Sequence, residues 1–280
     1  MQAPLISFEY FPPKTEQGLA NLLATAEALK ANDPSYFSVT YGAGGSTQAR
    51  TTETVQRITE TTGVKTAPHI SCITASKKTI TELLRGYQQL GIDHLVALRG
   101  DVPSGIGPGY SDFACARDLV RFIRETTGDH FHIEVAVYPE FHPQAGNIDA
   151  DLNYFKQKVE AGANSALTQY FYNADSYFHL RDHCQRRHIN IPIVPGIMPI
   201  TNAENIIRFS KQCGADIPRW LHKHLDHYAA DQTALLEFGE TVVTQLCEKL
   251  LAGGAPGLHF YTLNKAKPSL AILKNLKTEI

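Results

Sequence analysis

The chain has 280 residues, of which 43% are hydrophobic and 19% are charged, and its formal net charge is −2. This apolar content excludes intrinsic disorder, and the sequence contains no run of about 18 apolar residues free of charges that would cross a membrane. The balanced charge provides no basic surface for nucleic acid or for an anionic membrane. A small molecule is therefore the expected partner.

The five cysteines are far apart in the sequence and form no CxxC pair. This spacing argues against a disulfide scaffold and against a structural zinc site. Residues 1–20 lack the basic region and the apolar core of a signal peptide. We therefore expect a protein of the reducing cytoplasm.

Short runs rich in β-branched and aromatic residues alternate with amphipathic segments that have a helical period, such as 18–31, 51–62 and 79–91. Eight such runs predict strands, at 5–11, 36–42, 65–71, 94–100, 132–138, 165–171, 191–197 and 257–263. Strands that alternate with helices indicate βαβ units and a parallel sheet. Eight units in a chain of this length predict an α/β fold of the closed (β/α)8 TIM-barrel type, with a doubly wound sheet as the alternative.

The longest connection, residues 201–256, precedes the last predicted strand. It has room for two or three helices, with a break at 217–220 (IPRW). These extra helices would cover the barrel or form a subunit contact. Because the sequence contains no linker rich in serine and glycine, we expect residues 1–280 to form a single catalytic barrel domain.

Polar residues occur at or just after most of the predicted strands. Because the active site of a barrel lies at the carboxyl ends of its strands, we expect these side chains to converge. They are Glu9, Thr40, Tyr41, His69, Arg99, Asp101, Tyr138, Glu140, His142, Gln169, Tyr261, Asn264 and Lys265.

Glu9 is the strongest candidate for acid–base chemistry. It lies between Phe8 and the aromatic pair Tyr10 and Phe11. Apolar surroundings favour the protonated form of a carboxylic acid, which suits a general acid near neutral pH. The alternative is an inward glutamate paired with a buried arginine or lysine.

The other strand-end residues are open to two interpretations. Arg99 and Asp101 are two residues apart on a strand and so point to the same face. They form either a simple ion pair or part of a ligand site. His69, in an apolar run, is by itself more typical of a core histidine with a satisfied hydrogen bond. Gln169 either orients a ligand amide or makes an ordinary buried hydrogen bond.

Two glycine-rich segments, 42–46 (GAGGS) and 103–109 (PSGIGPG), match neither GxGxxG nor the Walker A pattern. We interpret both as barrel loops, so a nicotinamide cofactor would bind without a Rossmann domain. A barrel aldolase or isomerase would need a lysine at a strand end or a phosphate loop, and Lys265 is the nearest candidate for such a lysine.

The cluster of His222, His224 and His227 is the closest approach to the spacing of metal ligands. Since no cysteine or carboxylate-rich partner lies nearby, a solvated helix face is favoured. His130 and His132 lie at the start of a strand and are assigned no function. We therefore predict no metal site.

Eight motifs span nearly the whole chain and resemble the catalytic domain of the 5,10-methylenetetrahydrofolate reductase family. In order they are SFEYFPPK (7–14), FSVTYGAGG (37–45), APHISC (67–72), ALRGD (97–101), AVYPEFHP (136–143), AGANSALTQYF (161–171), PGIMPITN (195–202) and HFYTLNK (259–265). The chain resembles the short bacterial form, without the S-adenosylmethionine-binding regulatory domain of eukaryotic relatives.

The resemblance implies an FAD-containing barrel that reduces 5,10-methylenetetrahydrofolate to 5-methyltetrahydrofolate with NAD(P)H, by ping-pong hydride transfer through flavin N5. Such a reaction supplies methyl groups for methionine synthesis, and relatives form homo-oligomers. Glu9 is implied to be the proton donor to the folate, and Asp101 to tune the flavin. The alternatives are a flavin-independent or partner-fed reductase, or a non-catalytic flavin- or folate-binding barrel.

The same resemblance assigns further binding residues. The FAD set is Thr40, Tyr41, Ala43, His69, Arg99, Gly100, Asp101, Ala116, Tyr138, His142, Ala145, Asp151, Tyr154 and Lys158. The substrate set is Gln169, Asn205, Phe209 and Lys265, of which Phe209 would stack on nicotinamide or pterin; from its helical pattern alone, Phe209 would be a core residue. Tyr154, Asn205 and Lys265 differ from the usual family residues, and a lysine at 265 lacks the planar fork of arginine.

Overall fold

The computed structural model describes residues 4–41, 45–100 and 111–278 of the chain. Within these ranges there are nine parallel strands and ten helices, which alternate up to β7; β8 then follows directly, and three consecutive helices precede the last strand. The strands form a nearly closed barrel, with the helices in sequence between them, so the predicted TIM-barrel fold is confirmed.

The strands pair around the barrel in chain order. They are β1 (Leu5–Tyr10), β2 (Tyr36–Val39), β3 (Thr66–Ser71), β4 (His94–Leu98), β5 (His132–Val137), β6 (Ser165–Thr168), β7 (Ile193–Val194), β8 (Gly196–Ile197) and β9 (Gly257–Tyr261). The last of these, β9, returns to pair with β1, with Leu5 opposite Gly257 and Glu9 opposite Tyr261. This pairing excludes the doubly wound alternative, in which the first and last strands do not meet.

The predicted strand 191–197 is divided into β7 and β8 by Pro195. β7 pairs with β6, whereas β8 pairs with β9. Proline has no N–H to donate to a neighbouring strand, but the Pro195 carbonyl accepts a hydrogen bond from the His259 N–H at 3.0 Å. The two halves therefore act as one strand that joins the two ends of the sheet.

The helices follow the predicted alternation. They are α1 (Glu16–Lys30), α2 (Gly45–Thr62), α3 (Lys77–Gln89), α4 (Ala116–Thr127), α5 (Ile148–Glu160), α6 (Ala174–Arg186), α7 (Ala203–Cys213), α8 (Arg219–Tyr228), α9 (Gln232–Ala252) and α10 (Ala266–Thr278). The expected extra helices of 201–256 are α7, α8 and α9. The break between α7 and α8 covers 214–218, so it overlaps the predicted 217–220 only in part, and residues 219 and 220 belong to α8.

The prediction for the first glycine-rich segment needs a correction. Residues 45 and 46 belong to α2 rather than to a loop, so α2 begins before the predicted helix 51–62. The polar run at its start lacks the apolar period that reveals a helix, yet it contains no proline that would stop one. The second segment, 103–109, lies outside the described residues, as do 42–44.

Side-chain caps fix where several helices begin. The Thr15 hydroxyl accepts a hydrogen bond from the Gly18 N–H at 3.1 Å, and the Asn147 side chain accepts one from the Ala150 N–H at 2.8 Å. Such caps satisfy backbone donors that have no partner inside the helix. Among the described residues, no helix is long and apolar enough to cross a membrane.

The alternation of side chains along the strands separates the main apolar core from the barrel interior, which carries polar side chains together with a small apolar cluster of Ala67, Val96, Leu167 and Val194. Phe8 is fully buried and its ring stacks on that of Phe260, with centroids 5.6 Å apart. Ser7 and Glu9, its neighbours on β1, contact histidines inside the barrel instead. The interior therefore carries the polar side chains that chemistry requires.

Candidate active site

The carboxyl ends of the strands surround a cavity of about 440 Å³. Apolar side chains form part of its wall, among them Val96, Leu98, Leu167 and Met198. A mixed lining and this volume are typical of a small-molecule site. Of the seventeen predicted site residues that the structure describes, twelve line the cavity: Glu9, Thr40, Tyr41, His69, Arg99, Gly100, Ala116, Tyr138, His142, Asp151, Lys158 and Gln169.

Glu9 contacts two buried histidines. Its Oε2 atom lies 3.4 Å from Nε2 of His69 and 3.8 Å from Nε2 of His259. The other ring nitrogen of His259, Nδ1, makes a 2.7 Å hydrogen bond with the Ser7 hydroxyl. Burial lowers the pKa of His69 below its usual range. The ion-pair contacts of Glu9 with described residues are thus to histidines, not to the arginine or lysine of the alternative interpretation.

The end of β4 passes close to β3 because residue 100 is a glycine. Gly100 has φ +83°, and a Cβ atom there would lie 2.0 Å from the Ser71 hydroxyl oxygen. That hydroxyl donates a 2.8 Å hydrogen bond to the carbonyl of Arg99. The Arg99 guanidinium in turn donates to the side chain of Gln144 at 2.6 Å. Gly100 therefore allows the backbone geometry that places Arg99 at the cavity.

A group of charged and polar side chains lies where β5 leads into α5. The His142 N–H donates to the Asp151 carboxylate at 2.8 Å, and the rings of Tyr138 and His142 lie 4.6 Å apart. The Lys158 ammonium donates to the Ala136 carbonyl. Burial lowers the pKa of Lys158 to about 8, although the nearby Asp151 opposes this shift. Together these groups offer hydrogen-bond donors and a cation for an anionic ligand.

Tyrosine and glutamine side chains complete the wall. The Tyr261 hydroxyl donates to the Thr168 carbonyl at 2.7 Å, and Gln169 follows that residue directly. The Gln169 side-chain oxygen accepts a 2.9 Å hydrogen bond from the Tyr170 N–H, which fixes one end of its amide. Burial raises the pKa of Tyr41 above its usual range, so its hydroxyl remains a donor at neutral pH.

Five described residues of the predicted set do not line this cavity. Ala145 lies beside it, with its N–H donating to the His142 carbonyl at 2.8 Å. Tyr154 is 59% exposed on α5. Lys265 lies on the wall of another cavity, of about 560 Å³, together with Thr25.

The other two of the five, Asn205 and Phe209, lie on α7. The Asn205 side-chain oxygen accepts a hydrogen bond from Arg208 at 2.8 Å, and the Arg208 guanidinium lies 5.1 Å from the centre of the Phe209 ring. The contributions of Asn205 and Phe209 to a ligand site stay predictions, as do those of Ala145, Tyr154 and Lys265. Ala43 and Asp101, which the sequence also placed in the site, lie outside the described residues.

The structure adds site residues that sequence reasoning did not select. Tyr10 and Met198 line the cavity, and the buried Tyr10 hydroxyl has no hydrogen-bond partner among the described residues. His259 is fully buried beside Glu9. Its position two residues before Tyr261 on the same strand places both on one face, a signal that was present in the sequence.

Comparison with known proteins gives a consistent family. The family model described as "Methylenetetrahydrofolate reductase" matches residues 1–277. The chain is 40% identical over 260 residues to a 5,10-methylenetetrahydrofolate reductase of Buchnera aphidicola. This alignment covers 93% of the present chain and 87% of the relative. The Escherichia coli K12 protein of the same name is 38% identical over 271 residues, covering 97% and 90%.

Plant relatives are longer than this chain. It is 40% identical over 282 residues to "Methylenetetrahydrofolate reductase (NADH) 1" of Zea mays, covering 96% of this chain but 48% of that relative. A solved structure of an uncharacterized Clostridium thermocellum protein, described as binding two copies of 5-methyl-5,6,7,8-tetrahydrofolic acid, superposes with a TM-score of 0.70 at 16% identity. It covers 100% of this chain and 97% of that one. At that identity the similarity supports the fold alone.

Proposed function

Because the chain belongs to the methylenetetrahydrofolate reductase family, we propose that it reduces 5,10-methylenetetrahydrofolate to 5-methyltetrahydrofolate with NAD(P)H as the reductant. The observation that carries this proposal is the convergence of twelve family-matched residues on one cavity at the carboxyl ends of the strands. They come from separate segments of the chain, so their convergence is a property of the fold and not of sequence proximity.

The residues of the cavity fit FAD as the bound cofactor. The buried Nε2 atom of His69 has no hydrogen bond with the described residues, although His69 lines the cavity. Arg99 and Lys158 offer cations for phosphate groups, and apolar residues such as Leu98 offer a surface for an aromatic ring system. When bound, FAD supplies at its N5 atom the hydride carrier for a ping-pong exchange between NAD(P)H and folate.

Glu9 holds and donates the proton that the folate requires. We assign to its carboxyl group the protonation of folate N10, which opens the five-membered ring before reduction. His69 is uncharged at neutral pH because burial lowers its pKa. It is therefore an uncharged neighbour of Glu9 rather than a permanent counter-ion.

The remaining residues bind and orient the ligands. The His142 N–H donates to the Asp151 carboxylate. This bond fixes the start of α5, the helix whose Lys158 would bind an anionic group of the ligand. Gln169 presents a fixed amide to the cavity, and we assign to it a contact with the folate. The apolar wall formed by Val96, Leu98 and Leu167 limits the water that reaches the reacting atoms.

The test is the visible absorption spectrum of the purified protein under anaerobic conditions. The proposal predicts a flavin band that bleaches with NADH or NADPH and returns on addition of methylenetetrahydrofolate. A flavin band that does not bleach with either NADH or NADPH would instead indicate that a partner protein supplies the electrons.

Absence of the band, even after FAD is added, would overturn the flavin part of the proposal. Measurable folate reduction in that case would indicate a flavin-independent reductase. A bound flavin or folate without any turnover would indicate a non-catalytic binding barrel.

A further inference from the structure

A second group of polar side chains lies inside the barrel at the amino ends of the strands, opposite the cavity. His94 begins β4 and His132 begins β5, and the two are register partners on adjacent strands. Their rings lie 4.6 Å apart. Glu134 follows His132 by two residues and points to the same side. The proposed reaction uses none of these three residues.

The potential ligand atoms of this group are close together. One ring nitrogen of each histidine and one carboxylate oxygen of Glu134 lie within 4.8 Å of one another. The Nε2 atom of His94 lies 3.2 Å from Oε2 of Glu134. It is buried and makes no hydrogen bond of good geometry with any described residue. A buried polar atom without such a bond is costly unless something else binds it.

The chemistry of the three side chains suits a cation. A carboxylate and a neutral imidazole are the forms in which glutamate and histidine bind metals.

We propose that His94, His132 and Glu134 bind one divalent transition-metal ion of the zinc class. Two imidazoles and a carboxylate suit zinc and its neighbours, whereas calcium and magnesium prefer oxygen ligands. Metal–ligand distances of about 2.0–2.2 Å require the three side chains to close in by about 1 Å. A water molecule would take the fourth position.

The surroundings of Glu134 resemble the outer partners of a metal ligand. The Tyr36 hydroxyl donates to Oε2 at 2.5 Å, and the Ser165 hydroxyl donates to Oε1 at 3.0 Å. Ser165 also makes a 2.7 Å hydrogen bond with His132 Nε2. Metal binding replaces this last bond and leaves both hydroxyls on the carboxylate, where they hold its orientation.

The group has a route for entry of the ion. Glu134 is buried, but His132 is exposed at the amino end of the barrel. An ion can therefore reach the histidine from solvent and be held against the buried carboxylate. The sequence predicted no metal site because residues 94 and 132 are far apart in the chain, and barrel closure brings them together.

The test is calorimetric titration of zinc chloride into tag-free protein that has been treated with EDTA and dialysed. We expect one equivalent to bind the wild type and to raise its thermal unfolding temperature. Ser165→Ala should weaken binding by about 10–100-fold, the usual effect of an outer partner. His132→Gln and, separately, His94→Gln should weaken binding by more than Ser165→Ala does, because each removes a ligand.

His222→Gln is the matched control. His222 is an exposed histidine that lies 3.0 Å from Asp226 on α8, where zinc could bind the surface. The control should bind zinc as the wild type does. The proposal is overturned if the wild type binds no zinc, or if His132→Gln and His94→Gln bind it as tightly as the wild type. Circular dichroism verifies folding, and the exposed position of His132 makes its variant the safer of the two.

Discussion

The Nε2 atom of His69 lies 3.4 Å from Oε2 of Glu9, across a barrel interior that opens into the main cavity. His69 is buried, with 4% of its surface exposed, whereas 18% of the Glu9 side chain is exposed. The glutamate can therefore reach a ligand while its histidine neighbour stays in the protein. This arrangement places the Glu9 carboxyl group at the surface of the cavity, where a bound ligand can contact it.

Glu9→Gln tests the role of this carboxyl group. The amide has the same shape but no acidic proton, so we expect folate reduction to slow by about 10²–10⁴-fold. Flavin content and NADH oxidation should be retained, because the substitution does not change the apolar wall. Stopped-flow measurement of the two half-reactions separates these effects. Glu27→Gln, at an exposed position on α1, is the control, and folate reduction by Glu9→Gln near the wild-type rate would contradict the assignment.

Gly100→Ala tests the close approach of β3 and β4. Alanine at φ +83° is strained, and its Cβ would lie 2.0 Å from the Ser71 hydroxyl oxygen. Gly91→Ala is the matched control, since Gly91 has φ +69° with nothing within 4 Å of the added Cβ. The control should lower the free energy of unfolding by about 1–2 kcal/mol. Gly100→Ala should lower the free energy of unfolding by about a further 1–3 kcal/mol. Urea unfolding measures both variants, and an equal loss of stability in the two would argue against a steric requirement at residue 100.

Lys158→Met should separate stability from ligand binding. Because burial lowers the pKa of Lys158 to about 8, the unfolded chain binds more protons than the folded one between about pH 8 and 10.5. Lys158 should therefore make the free energy of unfolding of the wild type increase as the pH rises from about 8 to about 10.5. The variant should lose that rise and be at least as stable at pH 7, while it binds FAD more weakly. Urea unfolding at several pH values and FAD titration measure both, with Lys156→Met on the same helix as the control.

Glu134→Gln should change how the free energy of unfolding depends on pH below about 4.5. The folded-state pKa of this carboxyl, about 2, lies below its ordinary value of 4.5. The unfolded chain therefore binds more protons in this interval, and stability falls as the pH drops from about 4.5 to about 2. The variant should show a shallower decline than the wild type in metal-free buffer. Glu237→Gln, exposed on α9, should decline like the wild type; parallel curves for all three proteins would contradict the prediction.

The sequence predicts most of the fold because each strand contains its own run of β-branched and aromatic residues, which can be recognised without knowing the strand's neighbours. All eight predicted strands occur, and most of the polar residues predicted at their ends line one cavity, as the parallel strands of a barrel favour. Glu140, Asn264 and Lys265 do not line it. The division of 191–197 at Pro195 depends on which neighbour each half pairs with. Barrel closure determines this pairing, so a local sequence pattern does not reveal it.

Contacts between distant residues were beyond the sequence patterns. His259 lies beside Glu9 because β9 pairs with β1, and the strand register that brings them together is a tertiary property. The same holds for His94, which meets Glu134 through the neighbouring strand β5. By contrast, Gln169 lines the cavity as expected, since it follows a strand whose direction was predicted. Lys158 lies on α5, and only the resemblance placed it at this cavity.

The pairing of β1 with β9 has a consequence for how the protein is made. During synthesis Glu9 leaves the ribosome early, but its register partner Tyr261 and its neighbour His259 emerge about 250 residues later. Until then β1 has one edge without a partner strand, an edge open to pairing with other chains. A nascent chain interrupted before residue 257 would therefore lack both the closed barrel and the histidine beside Glu9. Translational stalling in this late region should expose the chain to aggregation and produce no partly active enzyme.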